Sequence, residues 1–268
     1  MGRMDYAMGR NDRETERLML QAEIYRPHSR HLFTLAGISP GMRVLDVGCG
    51  AGDISLLIAD LVGPTGSVLG VDADPTVLAV ARSRARELPN IEFRQAVLPD
   101  VELAGPVDAV VGRLILMHLA DPAGAVRELA RHVRPGGVVT FQDFELDTCR
   151  AAPPTPLATL CMDWVRGAMR AAGITPNPGE SLYRIFRDAG LSVVGVAGSR
   201  PAGNADSVNV VHAATTTVSL VPMIEKAGLA TVEEIAPDTL YERMRAEMAE
   251  VDGVFYSPEL IAAWATAA

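Results

Sequence analysis

A parallel, doubly wound α/β sheet is predicted by two features of the sequence. Short apolar strand signals alternate with helical ones from Arg43 to Phe144, and a glycine-rich turn joins the first of those strands to the first helix. Hydrophobic residues make up 49% of the 268 positions, enough to bury a large core and to exclude intrinsic disorder.

The elements follow in order. RVLDV (43–47) is a β-branched strand, followed by the turn and the helical pattern DISLLIADLV. GPTG is a turn and SVLGVD a second strand, after which Asp74 and Pro75 have the chemistry of an N-cap and first helical residue, for a helix ending near Leu88. Strands IEFRQA and VDAVVG, a helix opened by Asp121 and Pro122, and a strand GVVTFQDF complete the alternation. Near residue 147 the pattern breaks into APPTP, a helical stretch LATLCMDWVRGAM and ITPNPG, which reads as an insertion. A helix from Glu180 to Ala189 and a strand LSVVGVA resume the core; residues 205–250 read as two or three helices, and FYSPELIAAWA as one last strand. The leading segment, Asp12 to Leu35, reads as a helix interrupted at Pro27. The expected organisation is an N-terminal helical lid segment (1–36), a core (37–146), an inserted cap (147–178) and the rest of the core (179–268) with its helical insertion (205–250). The pieces outside the core are expected to gather over one end of the sheet.

Charge and composition narrow the function. A net charge of -9 opposes a polyphosphate backbone, so nucleic acid is not the expected partner. No apolar run reaches the roughly 18 residues of a membrane span, and the charged start lacks a signal peptide's apolar region; a cytoplasmic location is the expectation. Cys49, Cys149 and Cys161 are too few and too scattered for a disulfide framework or a zinc site. The five histidines show no ligand spacing, so no metal is expected.

The chemistry sits in VLDVGCGAGD, residues 44–53. Gly48, Gly50 and Gly52 let the backbone turn tightly and approach a ligand, with Cys49 between the first two, and the helix that follows offers free N–H groups. Asp53 stands where a dinucleotide fingerprint wants a third glycine or alanine, and Asp46 ends the strand itself. A carboxylate there repels a pyrophosphate and suits a ligand carrying an ammonium and a sulfonium. Asp72 ends the second strand, where an acid accepts both hydroxyls of a ribose.

With PGMRVLDVGCGAG, GVDADP, VDAVVGRLILMHLADP and LARHVRPGGVVTF in this order, the chain resembles the class I S-adenosylmethionine-dependent methyltransferases. It is most similar to the small-molecule kind that includes quinone-biosynthesis C-methyltransferases and bacterial natural-product methyltransferases. The resemblance implies a Rossmann-like seven-stranded sheet with its last strand antiparallel, and S-adenosylmethionine at the carboxyl ends of the first four strands. It implies that Asp46, Gly48 and Gly50 meet the methionine end, that Asp72 binds the ribose with Ala73 near the adenine, and that Arg113 and Leu114 lie beside the sulfonium. The acid that often follows strand three is replaced by Val97, leaving the adenine to backbone groups at Ala96 and Val97, or to Gln95. The opening YAMGRNDRETERLMLQA resembles the leader of bacterial small-molecule methyltransferases, which implies that Tyr6 and Gln21 lie on a segment closing over the cofactor. An arm containing Gly2, Tyr6 and Gly9 is short enough to serve its own pocket or that of a partner in a homo-oligomer.

Methyl transfer needs alignment, exclusion of water and sometimes a base. His118, after the fourth strand, is one candidate; Asp143 is the other, with Glu145 on its face and Phe144 opposite. Ordinary structural roles, as part of a helix-forming motif for His118 and as a cap or loop ion pair for the acids, stand beside these. Trp164, with Leu160, Met162 and Met169, suits an apolar acceptor pocket or simply a core. The leading function is methylation of a small, partly apolar metabolite on O, N or C. The alternative is an adenosylmethionine-binding protein of the same fold with a non-methylating or regulatory role.

Overall fold

Four consecutive buried residues in β1 (Arg43–Val47) require partners on both edges and cover on both faces. β2 (Ser67–Asp72) and β4 (Val107–Arg113) provide the edges, both parallel to β1. The structure, a computed structural model, describes residues 12–267, with side chains from Arg17 onward. β3 (Ile91–Gln95) pairs with β2 and β5 (Val133–Glu145) with β4, again in parallel. β10 (Glu259–Thr266) runs antiparallel to β7 (Val193–Ser199), giving the order β3-β2-β1-β4-β5-β10-β7. The expected seven-stranded sheet with an antiparallel last strand is therefore present. The chain proceeds from β1 toward β2 and β3 on one side and toward β4 and β5 on the other, so the crevice between β1 and β4 is the place where a sheet of this kind takes its ligand.

Local chemistry sets the helices around this sheet. α2 (Asp53–Val62) buries Ile54, Leu57, Ile58 and Val62, and stops at Gly63 with φ 67°. Asp74 caps α3 (Pro75–Arg84) by accepting from the Thr76 N–H, and Asp121 caps α4 (Pro122–Ala130) by accepting from the Gly124 N–H. α3 ends at Arg84, short of Leu88, where the Arg84 guanidinium turns to the Ala51 carbonyl and the Asp53 carboxylate. The Glu180–Ala189 segment is a 3₁₀ turn at Pro178–Ser181 followed by α6 (Leu182–Asp188).

Two expectations about the continuity of single elements are corrected. α1 (Asp12–Ala36) passes through Pro27 as one helix, held close to the proline by the buried Tyr25, whose hydroxyl donates to the Pro258 carbonyl at 2.8 Å, and by the buried Ser29. The FYSPELIAAWA segment is two strands. β9 (Val254–Tyr256) belongs to a small second sheet, and Pro258, which has no N–H for a ladder, separates it from β10.

By internal contacts the chain divides into two units. Of the described residues, one unit holds the sheet, 27–143, 178–199 and 260–267; the other gathers 12–26, 144–177 and 200–259. The second is built from α5 (Pro156–Ala171), α7 (Val208–Ser219), α8 (Val221–Lys226), α9 (Val232–Ile235) and α10 (Leu240–Glu250). It also holds an antiparallel sheet, β6 (Arg150–Ala152), β9 and β8 (Ala202–Gly203), in the order β6-β9-β8. Four helices thus occupy 205–250 where two or three were expected, because Pro222 opens α8 and Thr231 starts α9 with a capping box. Among the described residues no helix is long and apolar enough to cross a membrane.

The antiparallel closure of the sheet gives a stability test. Gly195 of β7 faces Trp264 of β10, and a Cβ at Gly195 would collide with the indole ring. Gly195→Val should cost about 1–3 kcal/mol of unfolding free energy, read as a lower urea midpoint at unchanged slope.

Candidate active site

The ladder of β1 runs into the glycine turn without a break, since the Cys49 N–H donates to the Val71 carbonyl at 3.0 Å. Gly48 and Gly50 then adopt φ of 66° and 53°, a region other residues enter at a cost. Their surroundings differ. A Cβ on Gly48 would meet the Ile115 side chain at 2.5 Å, whereas one on Gly50 would meet nothing within 4 Å. Gly48 is therefore spent on packing, and Gly50 presents open backbone. Cys49 is buried, and burial pushes its thiol well up, so it carries no thiolate chemistry at neutral pH.

Asp72 fixes this turn. Its Oδ2 accepts from the Gly50 N–H at 2.9 Å and its Oδ1 from the Asp74 N–H at 3.0 Å. A carboxylate oxygen has room for more than one donor, so both remain able to accept from a vicinal diol. Asp46, 1% exposed, accepts from the Ser55 hydroxyl at 2.6 Å. Burial pushes its pKa up to about 7; the Ser55 bond and the Arg113 charge oppose the rise, and Asp72 and Asp53 add to it.

The end of β4 closes the crevice. The Arg113 guanidinium donates to the Ser29 hydroxyl at 3.1 Å. Leu114 sits at φ 57°, its N–H donating to the Gln142 carbonyl at 2.9 Å; a leucine there stores about 1–3 kcal/mol of backbone strain, a kind of outlier that clusters at ligand sites. Beside β3, the Gln95 Nε2 donates to the Ala73 carbonyl at 3.0 Å. The Ala96 N–H donates to the Asp72 carbonyl at 3.0 Å, so it is already used by the fold, and the Val97 side chain is 66% exposed.

The family model described as "Methyltransferase domain" matches residues 38–190, more than half of the chain. The chain belongs to the methyltransferase domain family. Trans-aconitate 2-methyltransferase of Azoarcus sp. is 31% identical over 158 residues, covering 58% of this chain and 59% of that protein. The ubiquinone/menaquinone biosynthesis C-methyltransferase UbiE of Pseudomonas savastanoi is 34% identical over 137 residues, covering 48% of this chain and 52% of its own. The chain spans about half the length of the curated relatives it matches. Among solved structures, YcgJ of Bacillus subtilis aligns with a TM-score of 0.53 at 20% identity, over 89% of this chain and 98% of that one, a likeness of fold.

The methyltransferase domain's cofactor is S-adenosylmethionine, and the loop fits it. Open backbone at Gly50, a carboxylate with spare lone pairs at Asp72 and a buried acid at Asp46 match a ribose and a cationic amino-acid end. The other sequence candidates divide between the two units. His118 ends a 3₁₀ turn, Leu116–His118, with an exposed side chain and a pKa lowered by local desolvation. Asp143 is buried at the carboxyl end of the sheet unit's part of β5. In the helical unit, the Phe144 ring lies 4.6 Å from that of Tyr25, Glu145 is half-buried, and Gln21 accepts from Arg17 at 3.0 Å. Trp164 packs in that unit's core with Cys161 and Met162. Tyr6, Gly2 and Gly9 lie outside the described residues. Among the described residues no group of three metal-ligating side chains occurs.

Sequence reasoning missed one feature here, the anchoring of Gln95 on Ala73. In the helical unit the buried His212 Nε2 has no hydrogen-bond partner among the described residues, and burial drives its pKa down to about 3, with Arg17 adding to the effect.

A pH test follows from Asp46. The folded state keeps its proton up to about pH 7, while an unfolded chain releases it near the ordinary 3.8. Between these values the folded form binds more protons, so this group's contribution to stability declines as pH rises and is constant above. Asp46→Asn should remove that part of the slope of unfolding free energy between pH 4 and 7, measured by urea titration at several pH values.

Proposed function

We propose that this chain transfers the methyl group of S-adenosylmethionine to a small, partly apolar metabolite of natural-product or quinone-like character. The observation that carries the reading is the double anchoring of Asp72, which ties the ribose-binding acid to the open glycine of the cofactor loop. When bound, the cofactor supplies a methyl group on a sulfonium, ready for in-line displacement. The chain's residues hold and orient it. Asp72 takes the ribose hydroxyls, and Asp46, with the backbone of Gly48 and Gly50, takes the cationic amino-acid end. Arg113 and Leu114 stand at the end of β4 beside the reacting centre. Gln95 replaces the missing adenine acid: with its Nε2 held by Ala73, its Oε1 is the acceptor for the adenine amino group.

Support for a small acceptor comes from the relatives, whose names assign them to ubiquinone and menaquinone biosynthesis and to trans-aconitate, and from the net charge of -9, which disfavours nucleic acid. Where the acceptor must lose a proton, His118 is the base: its lowered pKa leaves the imidazole neutral at pH 7. A cytoplasmic, oligomeric enzyme completes the proposal.

Incubation with methyl-labelled adenosylmethionine and a metabolite extract should move label into a small molecule, and the transfer should survive EDTA. Binding without transfer across such extracts would favour the non-methylating alternative. Asp72→Ala should weaken S-adenosylhomocysteine binding by about 1.5–3 kcal/mol in calorimetry. Gln95→Ala should cost about 1 kcal/mol. Unchanged affinity in either variant removes that residue from the site.

A further inference from the structure

The small sheet of the helical unit carries an arrangement to which the proposed function assigns no role. β9 lies between β6 and β8, with Tyr256 opposite both Arg150 and Ala202. Successive strand residues point to opposite faces. Ala151 and Phe255, both buried, belong to the core face, which puts Arg150 and Tyr256 on the outer one. Arg200, two residues before Ala202, approaches from the flank opposite Arg150. Both guanidinium carbons lie over the Tyr256 ring, 4.8 Å from its centroid for Arg150 and 4.6 Å for Arg200.

Two cations held against one ring repel each other, and the attraction of each to the ring only partly offsets this. Elsewhere the chain places carboxylates beside its arginines, as in Arg84 with Asp53, Arg134 with Asp108 and Arg245 with both Asp206 and Glu242. Among the described residues neither Arg150 nor Arg200 has such a partner. Arg200 is nonetheless held in place: its Nη1 donates to the Thr148 carbonyl at 3.1 Å, and the Thr148 hydroxyl donates to the Glu145 carbonyl and accepts from the Glu259 N–H. Among the described residues the remaining N–H groups of both forks donate to no protein acceptor, and a fork of that geometry matches a group with two or more anionic oxygens.

We propose that Arg150, Tyr256 and Arg200 form a binding site for an oxyanion, a carboxylate or phosphate group whose oxygens accept from both guanidiniums while Tyr256 keeps the two at a fixed spacing. The site stands independently of the methyl-transfer reading. The same chemistry has two sources, a free inorganic anion or the anionic end of an organic molecule.

Calorimetric titration of the full chain at constant ionic strength tests this, with inorganic phosphate, pyrophosphate and phenyl phosphate as probes. One site per chain is expected, weakened about tenfold or more by Arg150→Gln and by Arg200→Gln. Arg150→Lys, which keeps the charge and loses the fork, should fall between. Arg184→Gln removes the same charge from an exposed residue paired with Asp188 and should change nothing. S-adenosylhomocysteine affinity should stay within about twofold in every variant, which separates loss of this site from loss of the fold or of the cofactor site. Phenyl phosphate binding more tightly than phosphate assigns the site to an organic ligand, and equal affinity assigns it to a free anion. Failure of the parent chain to bind any probe at millimolar concentration, or equal weakening by Arg184→Gln, overturns the proposal.

Discussion

The Asp72 carboxylate is the interaction on which the rest of the site depends. One side chain at the end of β2 accepts from Gly50 in the loop after β1 and from Asp74 at the start of α3. Three elements that meet at the sheet's reversal are thereby held in one geometry. A turn with glycines at positive φ has much conformational freedom to lose on ordering. Two hydrogen bonds to a charged acceptor, each contributing about 1.5–3 kcal/mol, offset that loss before any ligand arrives. The loop is thus ordered before any ligand arrives, and on the proposed reading a ribose does not have to order it.

The same region is acidic by design of position as well as composition. Burial raises the cost of ionising Asp46, and the nearby Asp72 and Asp53 charges add to it. Arg84 pairs with Asp53, and Arg113 lowers the pKa of Asp46, so the field is moderated without being cancelled. A ligand whose amino-acid end is cationic relieves this repulsion, whereas a pyrophosphate would add to it. On the proposed reading, that difference favours adenosylmethionine over a dinucleotide at this turn.

What was legible in the sequence was what is local. The Asp-Pro pairs at Asp74 and Asp121 open helices because cap and first residue are adjacent, and the glycine turn with its acids is contained in a few tens of residues. The misreadings came from long-range competition. Proline at position 27 signals a break, yet α1 persists because Tyr25 and Ser29 are fixed from outside the helix. The segment 254–266 alternates like one strand, but Val254–Tyr256 pairs with β6 and β8 while Glu259–Thr266 joins the large sheet, a partition no local pattern records. Gln95 was visible only as an option, since its orientation depends on the Ala73 carbonyl. The Arg150, Tyr256 and Arg200 row was invisible, because strand register alone assembles residues so far apart in the chain.

Photolabelling tests the central claim most directly, because it locates the ligand without assuming an acceptor. Ultraviolet cross-linking of radiolabelled S-adenosylmethionine to the full chain, followed by tryptic digestion, resolves the site: cleavage after Arg43 and Arg82 leaves the glycine turn and Asp72 together on one peptide, residues 44–82. Label concentrated on that peptide and displaced by excess S-adenosylhomocysteine is the predicted result. Displaceable label confined to peptides of the helical unit, with none on residues 44–82, would contradict the account.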